Sequence, residues 1–299
     1  MKKIRWPVLF LTLKSCKHRQ KMTTFATKSK EMTIREWINN RLIHGKPYFS
    51  VEDIRIEFPD IVENSMRREL SRLVAGKIIT IVYRGFYVIV PPQYAVDLKI
   101  PAYFYIDQLM SYIGKPYYLS LLTAGVLWGA AHQRPQRTSI TTIPPRARTS
   151  IARNDDLLWT YRSYIPDEFL KTKNSETGTI RYSNAELTAI DLIQYEHLIG
   201  GLSRAATVLS ELVENTNFYN AAISGLFSLT TVPTIQRLGF VLDAILDESE
   251  QADIIYNQLI QYAPNYTYQF LSRRSPHIKD NCNKRWKVYV NANIEPDDL

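Results

Sequence analysis

The alternation of apolar and polar residues over Phe49–Val90 predicts a short helix, a turn, a second helix and a two-stranded hairpin. Pro59 forces the turn between the helices, and Gly76 is expected to end the second helix. The two strands of the hairpin meet at Arg84 and Gly85, where glycine accepts the positive φ of a tight turn. This order of elements is typical of a winged helix-turn-helix.

Two capping residues predict where the helices begin. Ser50 is expected to accept the backbone N–H of Asp53 at the start of the first helix, and Asn64 is expected to cap the second. The apolar side of the first helix is expected to comprise Val51, Ile54, Ile56 and Phe58.

The apolar stripe of the second helix decides which of its residues face outward. The residues expected to face inward are Met66, Leu70, Leu73 and Val74. At about 100° per residue, Arg68 and Arg72 then point away from the stripe, with Ser71 beside them and Arg67 on one flank. Glu69 lies on the other flank and is expected to orient an arginine. A helix with a buried face and a cationic outer face suits the major groove of DNA.

Double-stranded DNA is therefore the expected partner of this segment. The predicted contacts are Asn64, Ser65, Arg67, Arg68, Ser71 and Arg72 on the second helix, and Lys77 and Arg84 on the wing. Two other interpretations stay open: a small helical domain whose arginines are merely solvated, and a winged domain that binds protein.

The formal charge of +8 comes from one end of the chain. Residues 1–30 hold nine Lys and Arg and no acidic residue, so the rest of the chain sums to −1. This leader is expected to be disordered, or to reflect a misplaced start with Met22 or Met32 as the true beginning. We expect a cytoplasmic protein, because the short apolar run in the leader lacks a small-residue cleavage site.

Residue content disfavours a metal centre, a cofactor site, a membrane span and a known class of enzyme. Two cysteines and five histidines show no metal-ligand spacing, and no apolar run approaches about twenty residues. An alternative is a nuclease targeted by the winged domain, with acidic residues at Asp155, Asp156, Asp167 and Glu168. No catalytic motif accompanies these acids, so we expect no enzyme.

The predicted fold class is α+β, with a winged helix-turn-helix domain at 31–92 and a larger mixed α/β domain at 93–299. Pro91 and Pro92 end the wing and are expected to mark the boundary. In the second domain, the predicted helices are 101–113 (ending at Gly114), a helix with apolar positions from Leu119 to Ala130, a helix capped by Asn184, and helices at 203–214, 216–228, 232–247 and 249–262. The predicted strands are TSITTI, LLWTYRSYI, TIRYS and strand-like segments near the C-terminus, with Lys171–Gly178 as a polar turn or hairpin loop.

Two features of the second domain leave alternatives open. Arginines from 134 to 153, among them Arg134, Arg137, Arg146 and Arg148, form either a secondary DNA contact or a soluble sheet edge. Three aromatic residues, Tyr117, Tyr118 and Trp128, belong either to the core or to a pocket for a small effector. The second case would make the protein an effector-sensing transcription factor.

Several blocks between residues 45 and 298 resemble the AbiEi family of antitoxin regulators, which belong to type IV toxin–antitoxin systems linked to abortive infection by phage. The most specific blocks are YYLSLLTAG, ELTAIDL and GGLSRAATVL, and others are IQRLGFVLD and NKRWKVYVNANIEPDD. The resemblance implies an N-terminal winged domain that represses its own operon by binding upstream repeats. It also implies a C-terminal antitoxin domain that counteracts a nucleotidyltransferase-like toxin without a stable complex.

Overall fold

The first elements of the chain pack three helices against a small sheet. They are α1 (Ile34–Ile43), β1 (Tyr48–Ser50), α2 (Val51–Glu57), α3 (Glu63–Ala75), β2 (Ile79–Tyr83) and β3 (Phe86–Ile89). The strands pair in the order β1-β3-β2, antiparallel throughout. This computed structural model describes residues 32–131, 135–145, 157–219 and 222–296, with the side chains of 222–224 excluded. The predictions for residues 1–31 lie outside the described residues.

The predicted start of α2 is confirmed, whereas the predicted start of α3 is wrong. The Ser50 hydroxyl accepts the backbone N–H of Asp53 at 3.1 Å, and the Asp53 carboxylate accepts the Ser50 N–H at 2.7 Å. These two bonds form a capping box. Helix α3 already begins at Glu63, after Val62, so Asn64 lies inside its first turn and does not cap it.

The apolar faces of α2 and α3 agree with prediction at most positions. Met66, Leu70 and Leu73 are buried, and Val74 is partly buried. Ile56 is 79% exposed, so its predicted inward position is wrong. Ile54 is fully buried, and a residue two positions along a helix points about 200° away from it.

The predicted turns after α3 are confirmed. Helix α3 ends at Gly76, and the next residue, Lys77, takes the left-handed conformation with a φ of 55°. The hairpin of β2 and β3 turns at Arg84 and Gly85, where Gly85 has a φ of 77°.

The second part of the chain is mixed α/β, around one larger sheet. Its elements up to the sheet's last strand are α4 (Ile106–Ile113), β4 (Tyr117–Leu119), α5 (Leu121–Trp128), β5 (Thr138–Thr142), β6 (Leu157–Tyr161), β7 (Leu170–Ser175) and β8 (Gly178–Ser183). The strands pair in the order β6-β5-β4-β8-β7, with β5–β6 and β4–β8 parallel and the other pairs antiparallel.

Helices follow the sheet, and short strands end the described chain. They are α6 (Ala185–Gln194), α7 (Leu202–Leu212), α8 (Ala222–Ser228), α9 (Val232–Phe240, continued by a π-helical turn to Ile245), α10 (Ser249–Tyr262), β9 (Gln269–Phe270), β10 (Cys282–Asn283) and β11 (Val288–Tyr289). Asn184 caps α6 as predicted, because its side chain accepts the Leu187 N–H at 2.9 Å.

The predictions for Leu119 and for Lys171–Gly178 need correction. Leu119 lies in a strand, because α5 begins only at Leu121. Residues Lys171–Gly178 mostly continue the strands β7 and β8, whose hairpin turns at 176–177. Gly125 permits a close helix approach, since an added Cβ would lie 2.9 Å from Val208, but Gly129 ends α5 in the left-handed conformation.

The hydrophobic core has three described clusters, one of which joins the first elements to the larger sheet. The α1–α3 cluster includes Ile38 and Phe49, and the helical cluster is built around α6, α7 and α9. In the third cluster, Phe86 and Val88 of the hairpin pack with Phe104 and other residues that follow. Residues from Ile34 onward accordingly form one compact unit.

Candidate nucleic-acid interface

The outer face of α3 carries the exposed polar residues that the sequence predicts. Asn64, Ser65, Arg67, Arg68, Ser71 and Arg72 are all exposed. Asn64 and Arg72 are about 12 Å apart along the helix axis, given a rise of about 1.5 Å per residue. The major groove of B-DNA is about 12 Å wide, so a face of this length fits across it.

Two arginines of this region are held by one carboxylate. Glu63 accepts hydrogen bonds from Arg67 Nε at 3.1 Å and from Arg55 Nη2 at 3.2 Å. Arg55 also reaches Glu52 at 3.3 Å. The hydrogen bond from Arg55 lowers the pKa of Glu63, so the carboxylate stays charged and holds both guanidinium groups at the N-terminal end of α3.

The remaining polar residues of α3 differ in their partners. Arg72 Nη1 lies 3.4 Å from Glu69 Oε2, as predicted for Glu69. Ser71 donates its hydroxyl proton to the Arg67 carbonyl at 2.8 Å. Arg68 forms no ion pair with any residue that the structure describes. Its guanidinium therefore keeps all its donors for an incoming ligand.

The hairpin tip lies beside α2 and α4. The Val51 N–H donates to the Gly85 carbonyl at 2.9 Å, and the Tyr112 hydroxyl donates to the Arg84 carbonyl at 3.3 Å. A Cβ at position 85 would lie 2.6 Å from the Tyr112 hydroxyl, and Gly85 has a φ of 77°, so this turn favours glycine. The Arg84 side chain stays exposed.

A groove of about 750 Å³ lies between α3 and the hairpin. Arg67 and Ser71 line one side, Arg84 lies on the other, and Arg55 lies at the α2 end. Lys77 is exposed, and its ammonium lies 3.5 Å from the Val96 carbonyl. The groove thus brings together arginines from the helix and from the hairpin.

Sequence reasoning missed Arg55 and Glu63 as part of this surface. The spacing of Glu63 and Arg67, four residues apart on one helix, indicates their ion pair. The contact between Arg55 and Glu63 depends on the angle between α2 and α3, which no residue spacing reveals.

The second arginine-rich segment is described only in part. Arg137 is exposed next to β5. Arg134, Arg146 and Arg148 lie outside the described residues, so the secondary DNA contact stays a prediction.

The acidic cluster of the nuclease alternative is likewise described in part. Asp155 and Asp156 lie outside the described residues, and Asp167 pairs with Arg181. Among described residues, no group of three or more His, Cys, Asp or Glu side chains is arranged to hold a metal ion. Nor does any described helix have the length and apolar character needed to cross a bilayer.

Comparison with known proteins identifies a family for the middle of the chain. Residues 118–244 match the model of the AbiEi antitoxin C-terminal domain. This chain carries an AbiEi antitoxin domain. The AbiEi family is a family of antitoxins rather than enzymes, and the match supports an antitoxin or regulator role in a toxin–antitoxin system. Helix α3 and the hairpin lie before the matched residues.

A solved structure resembles the chain over most of its length. The RV2827C protein from Mycobacterium tuberculosis superposes with a TM-score of 0.62 at 15% sequence identity, covering 86% of this chain and 92% of that protein. At this identity the likeness concerns the fold alone. None of the curated proteins compared with the chain is a significant match.

The AbiEi domain contains a buried ionic network that the sequence did not predict. The Tyr118 hydroxyl donates to Asp191 at 2.9 Å and accepts from Arg162 Nε at 2.7 Å, and Arg162 Nη2 pairs with the other Asp191 oxygen. Burial raises the pKa of Tyr118 and of Asp191, and the Arg162 cation opposes both shifts. All three residues are buried, so the network joins β4, α6 and the end of β6 rather than meeting a ligand.

The aromatic residues proposed for an effector pocket belong to the core or its margin. Tyr117 and Tyr118 are buried, and the Trp128 indole donates to the Ser183 carbonyl at 3.0 Å. A pocket of about 850 Å³ lies nearby, but other residues line it, among them Tyr103, Thr123 and Lys173. The predicted residues therefore do not line that pocket.

Proposed function

We propose that the chain is a transcriptional autorepressor that binds double-stranded DNA upstream of its own operon through α3 and the following hairpin. The observation that carries this proposal is the division of α3 into two faces. Met66, Leu70 and Leu73 are buried, whereas Arg68 and Arg72 are exposed. The order of helices and strands from α1 to β3, with a three-stranded antiparallel sheet, supports a winged helix-turn-helix.

The partners of each arginine suggest separate roles. Arg68 has no ion pair among the described residues, so it is the candidate for bidentate contact with a guanine edge. Arg67, held by Glu63, and Arg84, at the hairpin tip, suit contacts with phosphates on either side of the groove. Asn64 and Ser65, in the first turn of α3, lie one to two turns from Arg68 and Arg72 on the same face. Ser71 and Lys77 extend the contact surface at its margins.

The antitoxin activity is assigned to the AbiEi domain. We infer from the family resemblance that it counteracts a nucleotidyltransferase-like toxin without forming a stable complex. The two parts of the chain would then separate the tasks, with transcriptional control in the first part and toxin neutralisation in the second.

The test is fluorescence anisotropy on the DNA upstream of the gene and on a scrambled fragment of equal length, at two salt concentrations. We expect tighter binding to the upstream fragment, and we expect Arg68→Ala with Arg72→Ala to abolish this preference. Each good bidentate base contact contributes about 1–3 kcal/mol, so losing one weakens specific binding by about fivefold or more. Upstream preference that persists in the double variant would exclude α3 as the recognition helix.

Two controls separate recognition from charge. Arg35→Ala with Lys171→Ala removes two exposed cations away from α3 and should retain the preference. Arg68→Lys retains the charge but loses the planar fork, so it should lose specificity while leaving binding to the scrambled fragment nearly unchanged. If the natural chain bound both fragments equally and lost its affinity at higher salt, the binding would come from counterion release alone. That result would contradict the proposal.

A further inference from the structure

The C-terminal strands place a row of aromatic rings at the surface. Tyr268 stacks on Tyr289 with ring centroids 5.1 Å apart, Tyr289 lies 5.2 Å from Phe270, and Phe270 stacks on His277 at 4.2 Å. Tyr268 and His277 are exposed, and the two rings between them are partly exposed. We call these four residues the aromatic row.

Strand geometry explains why these rings share one face. Side chains alternate along extended chain, so Tyr268, which directly precedes β9, lies on the same side as Phe270 of β9. Tyr289 of β11 pairs in register with Phe270, and its neighbour Val288 is buried on the opposite face. The inner face of this small sheet thus joins the core, and the outer face carries the rings.

The aromatic row is held in place from both sides. The Asn291 side-chain amide donates to the carbonyls of Ser272 at 2.8 Å and Pro276 at 3.1 Å, which fixes the loop that presents His277. Beneath the sheet, Trp286 is fully buried against Gly239 of α9. The loop and the sheet that carry the rings are therefore held by contacts within the chain, which lowers the entropic cost of binding.

Cationic residues lie in the segment that carries the aromatic row. The Lys279 ammonium lies 5.5 Å from the centroid of the Tyr289 ring. Arg273 and Arg274 lie in the loop before His277, are exposed, and form no ion pair with a described residue. Residues 265–299 hold six Lys and Arg against four acidic residues, so this segment is weakly cationic independently of the leader.

The end rings, Tyr268 and His277, are exposed, and each contacts a single described aromatic ring. Tyr268 contacts only Tyr289, and His277 only Phe270, among the aromatic rings that the structure describes. A planar group can therefore extend the stack at either end, while a linked anion reaches the cations. Unpaired nucleobases joined by phosphates have this combination, whereas the bases of a duplex are already stacked on each other.

We propose that the aromatic row, with Lys279, Arg273 and Arg274, binds single-stranded RNA. RNA rather than DNA is the occupant because RNA presents unpaired bases in its loops and ends, where proteins stack aromatic side chains on them. This surface lies beyond the residues of the AbiEi match and does not involve α3, so the proposal stands independently of DNA recognition.

The first experiment measures fluorescence anisotropy of a labelled 12-nucleotide adenine-rich RNA with the full chain. The matched arms are the same RNA as a duplex and the same sequence as single-stranded DNA. We expect tightest binding to single-stranded RNA, and we expect Tyr268→Ala to weaken it by about fivefold or more, since each stacked base contributes at least about 1 kcal/mol. Tyr268→Phe retains the ring and should bind as the natural chain does.

A second variant controls for the loss of an exposed tyrosine as such. Tyr164→Ala removes another exposed tyrosine away from the row and should leave RNA binding unchanged. Equal binding to duplex and single strand, or no loss in Tyr268→Ala, would overturn the proposal, because the contact would then be electrostatic only. Tighter binding to single-stranded DNA than to single-stranded RNA would overturn the choice of RNA. If the row bound a toxin polypeptide and had no affinity for RNA, the whole proposal would be overturned.

A cysteine beside the row allows an independent measurement. Cys282 is exposed and pairs in antiparallel register with Tyr289, so its thiol lies on the ring-bearing face. Bound RNA should slow alkylation of Cys282 by iodoacetamide several-fold, read from the mass of the peptide that contains it. An unchanged rate at saturating RNA would place the RNA elsewhere and overturn the assignment.

Discussion

Gly239→Ala is expected to destabilise the protein, although alanine is the better helix former. Position 239 lies inside α9, where exchanging glycine for alanine normally stabilises a helix by up to about 1 kcal/mol. Here an added Cβ would lie 2.0 Å from Cζ3 of the Trp286 ring. Because carbon atoms pack at about 3.5–4.0 Å, the ring must move by about 1.5–2 Å.

The cost of this movement follows from what holds the ring. Trp286 is fully buried, and such overpacking costs about 1–3 kcal/mol. Its indole N–H donates to an Asp243 carboxylate oxygen at 2.8 Å, and losing a hydrogen bond to a charged group costs about 1.5–3 kcal/mol more. After the helix gain is subtracted, we expect a net loss of about 1.5–5 kcal/mol in the free energy of unfolding.

The assay is urea denaturation followed by tryptophan fluorescence and far-ultraviolet circular dichroism. A double-mutant cycle with Trp286→Phe identifies the cause, since the smaller ring leaves room for the added methyl group. Gly239→Ala should cost much less in the Trp286→Phe background. Equal costs in both backgrounds, or a more stable Gly239→Ala single variant, would refute the reasoning.

Two further variants test the buried network and the helix cap. Arg162→Ala should lower the free energy of unfolding by about 3–5 kcal/mol, because it leaves the buried Asp191 without its cation. Combining Arg162→Met with Asp191→Leu should recover most of that loss. A cost below about 1 kcal/mol for Arg162→Ala, measured by urea denaturation, would contradict this account. Ser50→Ala removes one side of the capping box and should lower the free energy of unfolding by about 0.5–2 kcal/mol. Thermal denaturation measures this loss, and an unchanged Tm would contradict the prediction.

Features set by neighbouring residues were predictable from the sequence. The stripe of Met66, Leu70 and Leu73 follows from helical periodicity, and the caps at Ser50 and Asn184 follow from residues three positions apart. The error at Asn64 has the same local basis. Several polar residues near a helix start satisfy the same rule, so the exact first residue is the least certain part of such a prediction.

Features that join distant segments were not predictable. Tyr118, Arg162 and Asp191 meet only because β4, α6 and the end of β6 converge, and no periodicity links them. The aromatic row depends in the same way on the parallel pairing of β9 and β11. Tyr118 and Asp191 lie in the blocks YYLSLLTAG and ELTAIDL, so these two blocks carry polar contacts of the core.

The core that the hairpin shares with the following residues decides how DNA binding by α3 can be tested. Val82, Phe86 and Val88 of the hairpin are buried in a cluster that includes Phe104, and Tyr112 of α4 donates to the carbonyl of the hairpin tip. Cutting the chain at the predicted boundary of residue 92 would expose this apolar face and remove the contact that holds the tip. Exposed apolar strands promote aggregation, so weak DNA binding by a fragment of residues 31–92 would not bear on α3. Substitutions on the outer face of α3 in the full chain leave the core intact and are therefore the informative perturbation.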